Sequence, residues 1–236
     1  MQRLAILTGA SSGIGAAAAR AFLEKGFSVI SVSRRNCPVQ GVITIPTDLS
    51  DRVSLNRTLE DLTRKLQAIP DTSACLLHNA SVMFKDDCQS TEDEALDKAL
   101  SVNIRAINTL NRTLIPQMSR ASSVLYVGST LSEKAVKGSF SYIVSKHAQL
   151  GMMRATCQDL MGRGIHTAMI CPGFTDTNML RAHIGHDCET LNNLAKMNSY
   201  RRLVTPQEIA DLIFWAHENP VINGSVIHAN LGQLEH

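Results

Sequence analysis

The feature that most restricts the fold of this chain is a short apolar run that passes directly into a glycine-rich turn and then into a helix. Leu4-Ala5-Ile6-Leu7 is fully apolar, as a buried parallel strand is, and Thr8-Gly9-Ala10-Ser11-Ser12-Gly13-Ile14-Gly15 follows at once. From Ile14 to Lys25 the residues are mostly Ala, Leu and Phe, with no Pro and no glycine beyond Gly15, and Gly26 stands where a C-terminal cap belongs. Backbone N–H groups at such a helix start are unpaired and lie at the positive end of the helix dipole, which suits a pyrophosphate. The spacing Gly9, Gly13, Gly15 lengthens the first interval of the dinucleotide fingerprint GxGxxG. An ordinary Gly/Ser turn has the same local composition, so the rest of the chain has to decide.

It decides by alternation. Apolar, β-branched runs recur at Ser28 to Ser33, Val42 to Pro46, Ala74 to His78, Val124 to Gly128, His166 to Cys171 and Ser225 to Ala229. Segments of helical length separate them, at Ser50 to Ala68, Thr91 to Met118, Ser141 to Met161 and Thr205 to Asn219. Two start like capping boxes, Thr91-x-x-Glu94 and Thr205-Pro206-x-Glu208. The fold class expected is α/β: a single-domain Rossmann fold over residues 1–233, with a doubly wound parallel sheet of about seven strands and helices on both faces. Ligands of such sheets bind at the carboxyl ends of the strands, near the reversal of strand order.

Composition narrows the partners. The 236 residues carry a net charge of +2 with both signs interspersed, and no basic block marks a nucleic-acid or anionic-membrane partner. The apolar runs are too short to cross a bilayer and the start lacks the parts of a signal peptide, so a cytoplasmic protein is expected. Cysteines 37, 75, 88, 157, 171 and 188 form no CxxC pair and no zinc-like spacing with His. They are expected to be reduced and mostly buried, Cys171 among them, and no metal is expected. Leu234-Glu235-His236 resembles a purification-tag remnant.

The second chemical motif is Tyr142-Ile143-Val144-Ser145-Lys146. Positions i and i+4 share a helix face, so Tyr142 and Lys146 project into one site. A free phenol ionises near pH 10 and a neighbouring ammonium lowers that value, making Tyr142 a usable acid or base. Ser129, at the end of the strand Val124 to Gly128, is placed to hold a substrate oxygen beside the phenol. An NAD site carries an acidic side chain about 20 residues beyond the glycines. Here no Asp or Glu occurs from Lys25 to Thr47, whereas Arg34 and Arg35 follow the second strand. A guanidinium there pairs with a ribose 2′-phosphate, which favours NADP(H) over NAD(H).

Taken together, TGASSGIG at 8–15, Asp48-Leu49, His78-Asn79-Ala80, Asn103 within Val102-Asn103-Ile104, Ser129, YIVSK at 142–146 and Pro172-Gly173 with Thr177 resemble the short-chain dehydrogenase/reductase family over essentially the whole chain. The resemblance implies an oxidoreductase moving hydride between NADP(H) and a small carbonyl or alcohol. Gly9, Ser11, Ser12, Gly13, Ile14 and Gly15 would then cradle the phosphates, and Asp48 with Leu49 would meet the adenine. Asn79 and Ala80 would line the nucleoside, Lys146 and Tyr142 would reach the nicotinamide ribose, and Pro172, Gly173, Thr175 and Thr177 would clasp the nicotinamide. Asn103 would hold a water beside Lys146 in a proton relay; its plainer alternative is a helix-interior Asn paired to backbone. The family is usually dimeric or tetrameric, which implies a homo-oligomer. Two departures stand out: Ser81 replaces the glycine that usually ends the Asn-Asn-Ala-Gly motif, and Asn230-Leu231-Gly232 replaces paired glycines after the last strand. That tail and PGFTDTNM at 172–179 resemble the benzil and sepiapterin reductase branch.

Residues 174–200 have the length of an active-site lid. Met179, Leu180, Ile184, Leu191, Leu194 and Met197 suggest an apolar pocket there, and His183 and His186 read as exposed helix residues rather than polar contacts. The substrate expected is a small ketone, a diketone or a 3-oxoacyl compound. The competing function is a non-catalytic NADPH-binding regulatory protein, which would not need Ser129, Tyr142, Lys146 and Asn103 together.

Overall fold

A computed structural model describes residues 3–69, 72–185 and 187–234, with the side chain of Cys188 left aside. His186, Glu235 and His236 lie outside the described residues, and with them the expectations made for those positions.

The strands are β1 (Arg3–Thr8), β2 (Ser28–Ser33), β3 (Ile43–Pro46), β4 (Ser73–His78), β5 (Ser123–Val127), β6 (His166–Pro172) and β7 (Ser225–Ala229). They form one parallel sheet in the order β3-β2-β1-β4-β5-β6-β7. The order reverses at β1, which lies between β2 and β4, so the glycine turn leaves the sheet at the switch point where ligands of such folds bind. The helices are α1 (Gly13–Glu24), α2 (Arg52–Gln67), α3 (Asp93–Leu100), α4 (Ala106–Leu114), α5 (Phe140–Asp159), α6 (Asn178–Ile184), α7 (Cys188–Ala195) and α8 (Pro206–Glu218).

Side chains alternate across each strand, so one sequence run serves two cores. Leu4 and Ile6 pack with Leu59 and Leu62 of α2, Leu110 of α4 and Met153 of α5. Ala5 and Leu7 face the other way, with Ala18 and Phe22 of α1 and Ile209 and Ile213 of α8. Phe22 meets Phe27 edge-on at 5.0 Å and Phe214 at 5.3 Å, which fixes α1 against α8.

At α8 the expected capping box is present: Thr205 accepts from the Glu208 N–H and Glu208 accepts from the Thr205 N–H. Arg202 holds the same carboxylate at 2.6 and 2.8 Å, and this pair sets Glu208 down to about 2. Thr205→Ala is expected to lower stability by about 1 kcal/mol, read as the urea midpoint at unchanged slope.

The other box is corrected. Thr91 Oγ1 donates to the Asp87 carbonyl and Glu92 takes the N-cap position without a side-chain bond; a local hydroxyl-to-backbone bond has displaced the cap. The helix expected from Thr91 to Met118 is likewise four pieces: α3, a π-helical turn at Ser101–Arg105, α4 and a 3-10 turn at Ile115–Gln117. Pro116 accounts for the final break, because it cannot donate inside a helix. Gly128 falls just past β5. Of the thiols, Cys75 and Cys171 are buried, Cys37 and Cys157 are intermediate and Cys88 is exposed, so mostly buried cysteines is an expectation the fold corrects.

Candidate active site

The glycine turn is held open from below. Gly9 has φ +71°, a left-handed conformation, and a Cβ there would lie 2.8 Å from Ala80 Cα. A Cβ on Gly15 would lie 2.3 Å from the Gly9 carbonyl oxygen and 2.5 Å from Asn79 Nδ2. Both glycines therefore let the turn, the start of α1 and the loop after β4 pack together. Thr8 Oγ1 accepts from the N–H groups of Asn79 and Ala80, each at 3.0 Å, and Asn79 Nδ2 donates to the carbonyls of Thr8 and Gly9. The Asn79 side chain is thus a brace for the turn.

The start of α1 is bare. Its N-cap, Ser12, makes no side-chain cap bond, and the first turn holds no acidic residue. The starts of α2, α6, α7 and α8 are each closed by a side chain, from Asp51, Thr177, Asp187 and Thr205. A helix start with free N–H groups, beside glycines whose missing Cβ atoms keep the backbone accessible, fits a pyrophosphate. Ser11, Ser12, Gly13 and Ile14 line that start.

Toward the sheet edge, Arg34 follows β2 directly and is exposed. Asp48, just past β3, accepts from the Ser50 N–H at 2.9 Å and its hydroxyl at 2.6 Å. Those bonds, helped by Lys98 and Arg34, hold the Asp48 carboxyl below its ordinary value. Arg34 and Asp48 therefore stand close enough to act on one another, with Leu49 beside them packed on the core. On the opposite side, the loop after Pro172 is pinned to Val204 by paired backbone bonds at 2.9 Å, and Thr175 Oγ1 donates to the Gly173 carbonyl. Thr177 caps α6 by accepting from the Leu180 N–H. A Cβ on Gly13 would lie 3.2 Å from Thr177 Cγ2, so this loop reaches the glycine turn.

Between these two edges the catalytic candidates converge. Ser129 follows β5 and its Oγ accepts from the Leu131 N–H at 3.1 Å, leaving the hydroxyl proton for another oxygen. Tyr142 and Lys146 lie on the buried face of α5, 8% and 1% exposed, and Lys146 Nζ sits 5.5 Å from the centre of the Tyr142 ring. Asn103 occupies the π turn. Its Oδ1 accepts from the Val82 N–H at 2.9 Å, while Nδ2 donates to the Val82 carbonyl at 3.0 Å and to Ser145 Oγ at 2.9 Å. The side chain accordingly does what the plainer alternative required, clamping backbone, and its clamp joins the loop after β4 to α5.

The electrostatics differ from the expectation in one respect. Burial pushes the Tyr142 phenol up to about 12, opposed by the hydroxyls of Ser129 and Ser81, and Lys146 is not among the groups that lower it. The order of titration accounts for this, because Lys146 gives up its proton at a lower pH than the phenol does and is neutral when the phenol ionises; its Nζ donates to the Val127 carbonyl at 2.8 Å and to Gln149 Oε1 at 3.0 Å. The ammonium is itself pushed down to about 8 by burial, which Cys171 only partly opposes.

Two residues, Gln149 and Asp86, enter the site that the sequence had not marked. Gln149, fully buried one turn beyond Lys146, anchors its ammonium; a lone amide at i+3 on an inward face was the available signal. Asp86 accepts from the Ser141 N–H through Oδ1 and from the Phe140 N–H through its carbonyl, closing the start of α5 from a distant loop. His78 gives a buried contact, 2.8 Å from Nε2 to Asn111 Oδ1, and burial pushes it down to about 4, so it is neutral. In the segment 174–200, α6 and α7 carry half-buried Leu180, Ile184, Leu191 and Leu194, with Met197 half-buried just past them, while Met179 is 41% exposed. His183 is not a free surface residue, because its Nε2 lies 3.4 Å from Ser139 Oγ at the head of α5.

Among the described residues no helix is long and apolar enough to cross a membrane. A family model described as enoyl-(acyl carrier protein) reductase matches residues 9–233. The 3-oxoacyl-[acyl-carrier-protein] reductase FabG of Vibrio harveyi is 25% identical over 239 residues, spanning 98% of this chain and 96% of that protein. A short-chain dehydrogenase family protein from Francisella tularensis superposes with a TM-score of 0.90 at 23% identity, covering 98% of both chains. A short-chain dehydrogenase from Burkholderia cenocepacia, solved in complex with NADP, superposes with a TM-score of 0.86 at 24% identity, covering 98% of this chain and 97% of that one.

Proposed function

The chain belongs to the short-chain dehydrogenase/reductase family and is an oxidoreductase, and from that premise we propose that it is an NADP(H)-dependent carbonyl reductase or alcohol dehydrogenase with Tyr142 as general acid and base. The convergence of Ser129, Tyr142 and Lys146 on a sheet whose glycine turn opens an uncapped α1 at the switch point carries this proposal. When bound, the nicotinamide supplies or takes the hydride at the carbonyl carbon. Ser129, its Oγ lone pair already engaged by the Leu131 N–H, donates a hydrogen bond to the substrate oxygen and keeps its proton. Tyr142 gives that oxygen its proton in reduction and removes it in oxidation, a step worth about 10²–10⁴-fold. Lys146, anchored by Val127 and Gln149, would hold the nicotinamide ribose when the cofactor is bound, and the Asn103 clamp fixes α5 against the loop after β4.

The half-buried apolar side chains of α6 and α7 suit an acyl or aryl group. The Vibrio relative is named for a 3-oxoacyl substrate, so a 3-oxoacyl thioester is the first carbonyl to offer, followed by simple ketones and diketones. Loss of NADPH absorbance with one of these acceptors is the expected result; tight NADPH binding with no turnover on any of them would favour a regulatory role.

Cofactor choice is assigned to Arg34. No carboxylate follows β2 to take the ribose hydroxyls, and a guanidinium at its end is placed for a 2′-phosphate. Because Arg34 is exposed, its removal should raise KM for NADPH by only about tenfold, equivalent to ~1.4 kcal/mol, and leave KM for NADH nearly unchanged. An unaltered ratio of the two KM values in Arg34→Ala would reject the assignment.

A further inference from the structure

We propose that Ser81 is a positioning residue for the phenolic proton, its hydroxyl donating to the Tyr142 oxygen while the Ser129 hydroxyl serves the substrate oxygen. Ser81 Oγ is shut off from solvent and completes no hydrogen bond of its own. A buried hydroxyl left in that condition is uncommon, and the backbone around it is unusually fixed. On one side, the Ala80 N–H bonds to Thr8 Oγ1 at 3.0 Å. On the other, both backbone groups of Val82 are gripped by the Asn103 side chain. Asn103 in turn bonds Ser145 Oγ, which donates to the Tyr142 carbonyl at 2.8 Å. Ser81 and Tyr142 are therefore two ends of one rigid bracket, and the Ser81 hydroxyl already draws the phenol downward without full hydrogen-bond geometry.

The bracket meets a specific chemical need. A phenol in this much burial resists ionisation, and Lys146 is not among the groups that offset burial. Lys146 bonds Val127 and Gln149, while the other titratable group facing the phenol, Cys171 of β6, acts to raise it. Two hydroxyls remain. Once Ser129 donates to the substrate oxygen, Ser81 is the protein hydroxyl left to donate to the phenolate oxygen as its proton leaves. A hydroxyl in place of hydrogen at this position thus stabilises the conjugate base of Tyr142 when the site is working.

This inference rests on the assignment of Tyr142 as general acid and base, so its test reads the phenol directly as well as turnover. The ionisation of Tyr142 is followed by phenolate absorbance in the NADP⁺-loaded protein, with Tyr142→Phe as the blank. A donor lost from an ionised oxygen is expected to move the midpoint up by about one to two pH units in Ser81→Ala and Ser81→Gly, and Ser81→Thr, which keeps the hydroxyl, should restore it. The pH profile of kcat should shift the same way, the rise of alcohol oxidation and the fall of carbonyl reduction both moving to higher pH. A side chain that merely fills space would lower kcat equally at every pH and leave the midpoint in place, and that outcome overturns the inference. Should Tyr142→Phe retain turnover, the catalytic assignment falls while the titration still decides whether Ser81 acts on the phenol.

Discussion

Tyr142→Phe is expected to lower kcat by about 10²–10⁴-fold, the range a positioned general acid supplies, with the dissociation constant of NADPH almost unmoved. The substitution is close to isosteric: it deletes one oxygen from a ring that is 8% exposed on the buried face of α5. The main-chain anchor of that residue survives, because the Tyr142 carbonyl, not its hydroxyl, accepts from Ser145 Oγ. The helix start also survives, since it is closed by Asp86. What disappears is the proton donor, so the loss should sit in kcat and not in thermal stability. Stopped-flow single turnover with an accepted ketone, beside fluorescence titration of NADPH, separates the two quantities. Retention of more than about a tenth of the wild-type rate would mean that the proton comes from elsewhere, since even the weakest general-acid contributions exceed tenfold.

The reach of the sequence follows the range of the forces involved. Strand and helix positions were legible because burial on both faces of a parallel sheet imposes near-continuous apolar runs, as in Leu4 to Leu7, and because the α8 box is written in adjacent residues, Thr205 to Glu208. The partnership of Tyr142 and Lys146 was legible for the same reason, being a spacing on one helix. Interactions across the chain were not. The start of α5 is closed by Asp86, the anchor of Lys146 includes the carbonyl of Val127, and the π turn at Ser101–Arg105 sits where Asn103 reaches across to Val82. None of these has a local signature. The failed box at Thr91 shows the complementary error: the residue types were right, but Asp87 offered its carbonyl to the Thr91 hydroxyl first. The depressed phenol expected from a neighbouring ammonium failed on direction, because spacing along the helix does not say how deeply the pair is buried, and burial raises the phenol while lowering the ammonium.

The same burial makes Lys146 the site where activity and stability are expected to part company. Its ammonium is 1% exposed and held by two neutral acceptors, and burial pulls it from 10.5 down to about 8. The unfolded chain keeps this proton to about pH 10.4. Between those values the unfolded state binds a proton that the folded state has released, so the stability of the wild type rises with pH. Below about pH 8 both states hold the proton and the folded protein bears the full penalty, about 3 kcal/mol for a shift of this size. Lys146→Met keeps the length of the side chain and removes the charge. The Val127 carbonyl and Gln149 Oε1 then lose a donor, at about 1 kcal/mol each, so at neutral pH the variant should be modestly more stable than the wild type, with turnover depressed by about 10²-fold or more. Urea denaturation of the cofactor-free proteins at neutral pH and near pH 10 gives the decisive comparison. The wild type should gain about 3 kcal/mol relative to the variant as the pH is raised, reversing their order, because ionisations common to both proteins cancel. Parallel pH dependences would mean that water reaches the ammonium, and the account of the site as a cation held in a dry cleft by a carbonyl and an amide would fail with it.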